Sequence, residues 1–436
     1  MGAIVLPINW RLSTGEIEYI IRDCQPKIFF LGNNYIGEFS EISKQFTFLE
    51  NIFLIGETQR NGKGFSALSE LLEAGESCEE IDVYFDDPYV IIHTAAVKGK
   101  PKGATLSHGN ILSSNLQLIA SLGITEKDSY LNILPMFHIF DIAFAFATMH
   151  VGGKNVIMAK FEPEIALDAI EREKISFIGE YPPMLGKLLD KLDGKNHALS
   201  SLKYVSGLDH PGNIERLKEK SKAEFLTGFG QCETSGMITL CRYSERPGSA
   251  GKESLLAKVK LVDAYDREVE ITKEGEICVR RPVVFMGYWN MEAENKLIFR
   301  QGWHHTGDIG RIDKDGYLWY VKRKAEKDLI KAGGENVYPA EIEKIILERP
   351  EVSEISVIGV PDQEWGEAAK AICVLKQGSY LSQGELIEFV ASKIAGFKKP
   401  KYVMIVPYLP KTEDGSIDRE KVKELYGESY TNLVIN

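Results

Sequence analysis

Short apolar runs alternate along this chain with stretches in which apolar residues recur at helical spacing. Four such runs predict β-strands: Lys27–Leu31, Tyr89–His93, Asn155–Met158 and Lys258–Val262. Between them, the stretch Glu164–Lys174 predicts a helix whose apolar face consists of Ile165, Leu167, Ala169 and Ile170. Strands that alternate with helices in this way favour an α/β fold with mainly parallel strands.

The pattern changes near the charged run Val321–Lys331, which follows the turn signal Asp313–Gly316. Such a run is also typical of a solvated helix or loop face. Beyond it, the periodicity predicts a helix, a strand and a further helix, over Ala340–Leu347, Ile355–Val360 and Gly384–Lys393. We therefore predict a large domain over residues 1–322 and a small α+β domain over residues 323–436.

Composition narrows the class of protein. The chain has 436 residues, of which 44% are hydrophobic, so it can bury more than one core. Its net charge of −11 argues against a general nucleic-acid-binding protein, which normally presents a basic face. No apolar run is long enough to span a membrane, and the opening residues lack the plan of a signal peptide. These features predict a cytoplasmic protein.

Six cysteines are scattered along the chain, and none forms a CxxC pair or has zinc-ligand spacing with a histidine. The pattern predicts buried or incidental thiols in a reducing compartment.

A glycine- and lysine-rich segment, TAAVKGKPKG, follows the second predicted strand and runs from Thr94 to Gly103. Backbone N–H groups in such a turn can surround phosphate oxygens, and lysines add opposite charge. A plausible helix begins at Ser107. The segment does not match the GxxxxGK[ST] nucleotide loop, and a basic surface turn is the alternative interpretation.

Together with the following LSHGN, this segment resembles the phosphate loop of adenylate-forming enzymes, a group that includes acyl-CoA synthetases, luciferases and peptide-synthetase adenylation domains. The resemblance implies nucleotide contacts from Thr94, Gly99, Lys102 and Gly103. The first half of the loop departs from the family pattern, because Ala95, Ala96, Val97 and Lys98 replace small hydroxyl and glycine residues. Lys98 would supply charge in their place.

Three further segments resemble the nucleotide-binding motifs of the same family. They are SGLD at 206–209, GFGQCET at 228–234 and GWHHTGD at 302–308, and Arg323 follows in the charged run. The resemblance implies that Gly207, Leu208 and Asp209 flank adenine and that Phe229 stacks on it, next to Gly230. It also implies that Asp308 and Arg323 bind ribose. Glu233 would ligate Mg²⁺, and Cys232 replaces the threonine that relatives carry.

Other motifs imply an acyl pocket and a second substrate. LPMFH places His138 near the acyl group, and GGENVYPAEIE matches the family segment that lines the pantetheine tunnel, which implies CoA contacts from Gly333, Gly334 and Glu335. The family's catalytic lysine, which bridges the acid and the phosphates of ATP, falls on Ser416 in the segment LPKTEDGS. Serine cannot supply that positive charge.

The resemblance covers the chain from about residue 3 to its end, and it implies a large layered domain followed by a small mobile one. The opening GAIVLPINWRL matches an internal part of the family's first subdomain, so we expect the chain to lack preceding elements, as a short form, a fragment or a misread start. The implied reaction is acyl-CoA synthesis from a carboxylic acid, ATP, Mg²⁺ and CoA. Two alternatives remain: an acyl-AMP ligase that serves a carrier protein, and a nucleotide- or acyl-AMP-binding protein whose catalysis has decayed.

Overall fold

A computed structural model describes residues 2–56, 65–73, 81–94, 101–192, 199–323, 329–362, 364–412 and 415–427. The α-helices in these residues are Thr14–Cys24 (α1), Ile36–Ser43 (α2), Leu68–Glu73 (α3), His108–Leu122 (α4), Ile139–His150 (α5), Pro163–Glu173 (α6), Met184–Leu192 (α7), Pro211–Lys220 (α8), Glu292–Ile298 (α9), Pro339–Ile346 (α10), Gln383–Ala391 (α11) and Arg419–Tyr426 (α12).

The strands form several sheets. The first is parallel and consists of Ile28–Gly32 (β1), Asn51–Ile55 (β2) and Ser66–Ala67 (β3). An antiparallel sheet contains Pro88–Thr94 (β4) and Lys102–Ser107 (β5). The central sheet contains Ser129–Asn132 (β6), Lys154–Ile157 (β7), Phe177–Glu180 (β8), Tyr204–Gly207 (β9), Glu224–Gln231 (β10), Gly236–Arg242 (β11) and Lys252–Glu253 (β12).

The next sheet is antiparallel and contains Lys258–Val262 (β13), Glu274–Arg280 (β14), Phe299–Arg300 (β16), Trp303–Ile312 (β17) and Leu318–Arg323 (β18), while Gly287–Tyr288 (β15) pairs with β5. The last sheet contains Ile330–Ala332 (β19), Glu335–Val337 (β20), Val352–Asp362 (β21), Gly366–Leu375 (β22) and Tyr402–Ile405 (β23). The four strands predicted from apolar runs correspond, in chain order, to β1, β4, β7 and β13, and their bounds differ from the predicted ones by at most one residue.

The central sheet runs in the order β12-β11-β10-β9-β8-β6-β7, and β6 to β10 are parallel. Successive residues of a strand point to opposite faces. Leu131 and Ile178 accordingly join a core with α6, α7 and α8, whereas their neighbours Tyr130 and Phe177 join a core with α4 and α5. Helices therefore cover both faces of this sheet, as an α/β fold requires.

The predicted helix over Glu164–Lys174 is α6, with Pro163 at its first position and Lys174 in a left-handed conformation as its C-cap. One detail of the prediction is wrong: Ile165 is 54% exposed, so it is not part of the apolar face. The buried face contains Ala166, Leu167, Ala169 and Ile170. Ile165 precedes Leu167 by two positions, about 200° around the helix axis, and so lies on the opposite side.

The last sheet is covered on both faces. Val357 and Ala371 join one apolar cluster with α10 and α11, and Ile358 and Ile372 join another with Val422 of α12. The structure therefore has a large α/β domain followed by a small domain with its own cores. β18 ends at Arg323 in one sheet and β19 begins at Ile330 in the next. The boundary between 322 and 323 stays a prediction.

Within the described residues, no helix combines the length and apolar character that crossing a membrane requires.

Candidate active site

The two strands that flank the glycine-rich segment form an antiparallel hairpin. Thr94 of β4 lies opposite Lys102 of β5, and the Thr94 Oγ1 donates to the Lys102 carbonyl at 3.4 Å. Gly103 follows Lys102 and pairs with the next residue inward on β4. Lys98 and Gly99 lie outside the described residues. The hairpin thus fixes the base of the segment for which a phosphate role is predicted.

A short 3₁₀ turn, Cys232–Thr234, places Glu233 close to this hairpin. The Tyr288 hydroxyl donates to Glu233 Oε1 at 2.6 Å, and the Lys102 ammonium lies 5.0 Å from the centroid of the Tyr288 ring. Burial and the nearby Glu233 charge raise the pKa of Tyr288 well above its usual value, so this hydroxyl remains a donor. Glu233 is therefore oriented from one side and offers a carboxylate of the kind that Mg²⁺ prefers.

The thiol of Cys232 stands where the family resemblance implies a threonine hydroxyl. Burial, and secondarily the Glu233 carboxylate, raise the pKa of Cys232. The side chain is thus a neutral thiol, which donates hydrogen bonds only weakly.

Gly207 ends β9, beside the last residue of β8. A Cβ at Gly207 would lie 1.9 Å from the Glu180 carbonyl oxygen, so only glycine fits this close approach. The next residue, Leu208, is exposed. Asp209 is held in turn, because its Oδ1 accepts from Asn213 Nδ2 at 2.7 Å. The segment therefore has a fixed backbone and one exposed apolar side chain.

Phe229 lies on β10, the strand next to β9, and is largely buried. Its ring stacks on Tyr320 of β18 with centroids 6.2 Å apart. Gly230 follows on β10, at a bulge where the strand's register with β11 shifts. An aromatic pair rather than a single ring therefore borders the predicted adenine region.

Asp308 is fully buried on β17, and neutral donors converge on its carboxylate. The Gln231 amide donates to one oxygen, and the Tyr320 hydroxyl donates to the other at 3.4 Å. Arg323 pairs with Asp308 across β17 and β18, although the Arg323 side chain is not among those described. The two residues predicted to bind ribose are thus direct neighbours on adjacent strands.

The small domain contacts this region through the turn between β19 and β20. Gly333 and Gly334 adopt positive φ angles of 58° and 86° in that turn, which glycine accommodates without strain. The following Glu335 pairs with Arg11, and its Oε2 lies 3.3 Å from His138 Nε2 in the large domain. Burial alone would raise the pKa of Glu335, but His138 and Arg11 outweigh it and lower that pKa.

A second contact between the domains centres on Lys398. Its side chain is 2% exposed, and its ammonium pairs with Glu16 of α1 and, at 2.9 Å, with Glu341 of α10. The Ala395 N–H also donates to Glu16 at 3.2 Å. A buried charge of this kind is tolerated only when it is paired on all sides, so Glu16 completes the surroundings of Lys398 across the interface.

These elements enclose a cavity of about 50 Å³ between the domains. Its lining includes residues from the hairpin, the LPMFH segment, the 3₁₀ turn and the small domain, namely Thr94, Phe137, His138, Cys232, Glu335 and Asn336. Residues predicted for phosphate, acyl and CoA contacts thus share one cavity.

Ser416 lies in a different part of the small domain. Its hydroxyl is 2.7 Å from Thr412 Oγ1, and the neighbouring Ile417 packs in the cluster that contains α12. Val337, just after Glu335, packs in the cluster on the other face of the sheet. The loops that carry Ser416 and Glu335 are therefore supported by different cores of the small domain.

Sequence reasoning missed several neighbours of the predicted site residues. Tyr288 holds Glu233, Gln231 and Tyr320 donate to Asp308, and Arg11 pairs with Glu335. Gln231 lies inside a motif that was recognised, but only as a variable position. Tyr288 lies in the segment GYW, which resembles a family motif that we interpreted as architectural, and Arg11 lies in the opening segment GAIVLPINWRL. Neither was predicted to contact a site residue, and Tyr320 approaches the site through chain topology.

Fold and site together define an adenylate-forming enzyme: a helix-covered parallel sheet, an antiparallel hairpin with a glycine-rich connection, and a small domain that closes on both. The family model described as AMP-binding enzyme matches residues 1–289, and the model of the AMP-binding enzyme C-terminal domain matches residues 341–416. The chain belongs to the AMP-binding enzyme family.

Curated relatives with similar sequences are CoA ligases of several acids. An indoleacetate–CoA ligase of Aromatoleum aromaticum is 29% identical over 98% of this chain and 84% of its own length. A feruloyl-CoA synthase of an Amycolatopsis species is 30% identical over 98% of this chain and 84% of its own length.

Solved structures agree with the fold. An o-succinylbenzoate CoA synthetase of Bacillus subtilis, a double mutant bound with a product analogue, superposes with a TM-score of 0.82 at 28% identity, over 97% of this chain and 83% of that one. The amide bond synthetase of Marinactinospora thermotolerans superposes with a TM-score of 0.86 at 22% identity, over 98% of this chain and 86% of that one, a likeness in fold alone.

Proposed function

We propose that this protein is an AMP-forming acyl-CoA synthetase. A carboxylate attacks the α-phosphorus of ATP, pyrophosphate leaves, and an acyl-AMP forms. The thiol of CoA then attacks the acyl carbonyl, and AMP leaves. The CoA ligases among the relatives support this reaction class, while the acid itself is left open.

The observation that carries the proposal is the meeting of Glu335 with His138 at the cavity between the domains. The loop predicted to line the pantetheine tunnel lies against the segment predicted to border the acyl group. A thiol that enters along this loop would reach the acyl carbonyl, which positions the two reactants for transfer.

The remaining roles follow from the described contacts. Asp308 is a buried acceptor suited to the hydroxyls of ribose, which are neutral donors. Glu233, held by Tyr288, would ligate Mg²⁺, and that cation would offset charge on the ATP phosphates. Thr94, Lys102 and Gly103 would hold the phosphates from the base of the glycine-rich segment. His138 would border the acyl group.

We also propose that the small domain, from Arg323 onward, turns between the two half-reactions. The loops of Ser416 and Glu335 rest on different cores of that domain, so one orientation would present one loop to the site. Rotation about a few residues at an element end is a common form of domain movement.

Two other functions are compatible with the same residues. An acyl-AMP ligase would deliver the acyl group to the phosphopantetheine of a carrier protein, and the Gly333–Glu335 loop would serve either acceptor. A decayed enzyme would bind nucleotide without activating an acid. The serine at position 416 and the altered first half of the phosphate loop, Ala95–Lys98, favour that second alternative.

A screen of carboxylic acids separates the three functions. Each acid is incubated with ATP and Mg²⁺, and pyrophosphate-to-ATP exchange is measured before CoA or a pantetheinylated carrier protein is added. A synthetase shows exchange with one class of acid and thioester formation with free CoA. Exchange without CoA consumption, but with loading of the carrier, would indicate the ligase. If AMP binds and no acid supports exchange, the protein is a binding protein and our proposal is wrong.

A further inference from the structure

Three potential metal ligands meet where the end of α1 approaches β4. Asp23 and Cys24 are the last residues of α1, and His93 precedes the glycine-rich segment. One ligand atom from each lies within 4.8 Å of the other two. His93 Nε2 is 3.9 Å from Asp23 Oδ2 and 4.0 Å from Cys24 Sγ. We call these three residues the α1–β4 cluster.

The polar atoms of this cluster have few partners among the described residues. Asp23 Oδ2 and His93 Nδ1 are buried and accept or donate no hydrogen bond there. The His93 side chain is 5% exposed, and within the described part of the chain no lysine or arginine pairs with Asp23. A buried carboxylate oxygen without a donor or a cation is costly, so this arrangement is one that a bound cation would stabilise.

We propose that the α1–β4 cluster binds a divalent transition-metal ion of the Zn²⁺ type. Thiolate, imidazole and carboxylate are the ligands of such sites, with bonds of about 2.0–2.3 Å. Atoms bound at these lengths in a tetrahedron lie roughly 3.5 Å apart, and the ligand atoms of the cluster all lie within 4.8 Å of one another, so closing the cluster takes movements of about an ångström or less. Water would complete the coordination. Mg²⁺ is excluded here, because it prefers an octahedron of oxygen ligands.

Metal binding at this cluster releases a proton. Burial and the Asp23 charge raise the pKa of the Cys24 thiol to about 12, so Cys24 is neutral without a cation. The metal ion forms a bond with the thiolate, and the thiol proton passes to solvent. Charge then balances locally, since the thiolate and carboxylate together offset a divalent cation.

A second group of potential ligands, Glu276, Cys278 and His305, makes a useful contrast. There, Arg300 Nη2 lies 2.7 Å from His305 Nδ1 and 3.6 Å from Glu276 Oε2. A guanidinium cation thus already occupies the position that a metal ion would take. The α1–β4 cluster has no such cation among its described neighbours, and we therefore place the site there.

The site would connect the end of α1 to strand β4. The Asp23 carbonyl accepts from Trp289 Nε1 at 3.2 Å and from Asn290 Nδ2 at 3.1 Å, which fixes the end of α1. His93 lies across from Gly103 on the hairpin. A metal ion here would hold the base of the glycine-rich segment against α1, so its role would be structural.

Cobalt titration tests the proposal without any assay of catalysis. Co²⁺ is added to the metal-free protein, and the thiolate-to-cobalt absorption band in the near ultraviolet is followed. We expect one equivalent of Co²⁺ to produce the band and Zn²⁺ to abolish it. Cys24→Ser should remove the band and weaken Zn²⁺ binding at least about tenfold, and His93→Asn should weaken it similarly.

The matched control is Cys278→Ser, which alters the other cluster and should leave the band intact. If the band persists in Cys24→Ser and disappears in Cys278→Ser, the metal binds at the second cluster and the proposal is wrong. The absence of any thiolate band in the parent protein also overturns it. Circular dichroism of each variant checks that it is folded.

Discussion

Glu335 of the small domain places its Oε2 3.3 Å from Nε2 of His138 in the large domain. The same carboxylate pairs with Arg11 and accepts from Asn9 Nδ2 at 3.4 Å, so three side chains of the large domain converge on one residue of the predicted CoA loop. Lys398 is bound to Glu16, so a second buried charged contact joins the two domains. Such pairs depend on both partners, because removing one leaves the other buried and uncompensated.

Glu16→Gln is therefore expected to weaken the docked orientation of the small domain. Glutamine keeps the size of the side chain but removes the charge that pairs with Lys398, and a charge-assisted hydrogen bond contributes about 1.5–3 kcal/mol. We expect thioester formation from preformed acyl-AMP to slow by about tenfold or more, while pyrophosphate exchange changes little. Stopped-flow measurement of each half-reaction tests this.

The control for this variant is Glu18→Gln on the same helix. Glu18 pairs with Arg22, four residues along on the exposed side of α1, and within the described residues it forms no ion pair with the small domain. It should leave both half-reactions unchanged. Equal slowing by the two variants would attribute the effect to helix α1 and not to the interface.

Asp308→Ala should weaken AMP binding by about 1–3 kcal/mol, the cost of leaving polar partners unpaired. The buried carboxylate accepts from Gln231 and Tyr320, and we propose that it accepts from ribose hydroxyls when nucleotide is bound. Isothermal titration calorimetry with AMP measures the change. Tyr320→Phe serves as the control, since it removes a donor at 3.4 Å but keeps the carboxylate. Unchanged AMP affinity in folded Asp308→Ala would contradict the ribose assignment.

Asp141 predicts a specific dependence of stability on pH. Burial raises its pKa to about 7, although the Tyr130 hydroxyl, 2.5 Å away, opposes the shift. The folded state thus holds a proton that the unfolded state loses near pH 4, so this residue destabilises the fold progressively between about pH 4 and pH 7. Asp141→Asn should raise the free energy of unfolding above pH 7, by on the order of 1–3 kcal/mol, and leave it similar at pH 4.

Urea denaturation of parent and variant across this pH range measures the difference. Asp128→Asn is a control of opposite sign. Donors from Lys203, Thr125 and Ser176 outweigh burial and lower the pKa of Asp128, so its ionised form stabilises the fold at neutral pH. That variant should lose stability at pH 7. A parallel pH profile for parent and Asp141→Asn would show that Asp141 is ionised in the folded state.

The sequence predicted those features that depend on local pattern. Strand β13 has the predicted bounds, and the strand and helix predicted on either side of the glycine-rich segment correspond to β4 and to α4, which begins one residue after the predicted Ser107. Contacts between distant segments were not predictable. Cys24 and His93 lack any recognised ligand spacing, and only the packing of α1 on β4 brings them together. The exposure of Ile165 shows that local pattern can also mislead, because an apolar residue next to the buried face of a helix need not belong to that face.

Ser416 is the sharpest test of catalysis, because the resemblance to adenylate-forming enzymes implies a lysine at this position. The described residues on either side of 413–414 are paired: Lys411 and Ile417 form an isolated bridge, and the Thr412 N–H donates to the Ser416 carbonyl at 2.9 Å. If the small domain turns to present this loop, Ser416 would approach the reacting carboxylate without a charge to stabilise it.

Two cases can be distinguished by measuring pyrophosphate formation with saturating ATP and acid: activation is slow, or Lys98 supplies the missing charge. If activation is slow for want of charge, Ser416→Lys should accelerate it by about tenfold or more, since a cation aimed at developing negative charge contributes several kcal/mol. If Lys98 compensates, Lys98→Ala should reduce it by a similar factor. Lys411→Ala is the control. Because Lys411 pairs with Glu354 at 2.7 Å, this substitution should change the rate little.

A readily measured activity that none of the three substitutions alters would show that the position assigned to Ser416, or the role given to Lys98, is wrong. If neither the parent nor Ser416→Lys forms acyl-AMP with any acid, the protein binds nucleotide without catalysis.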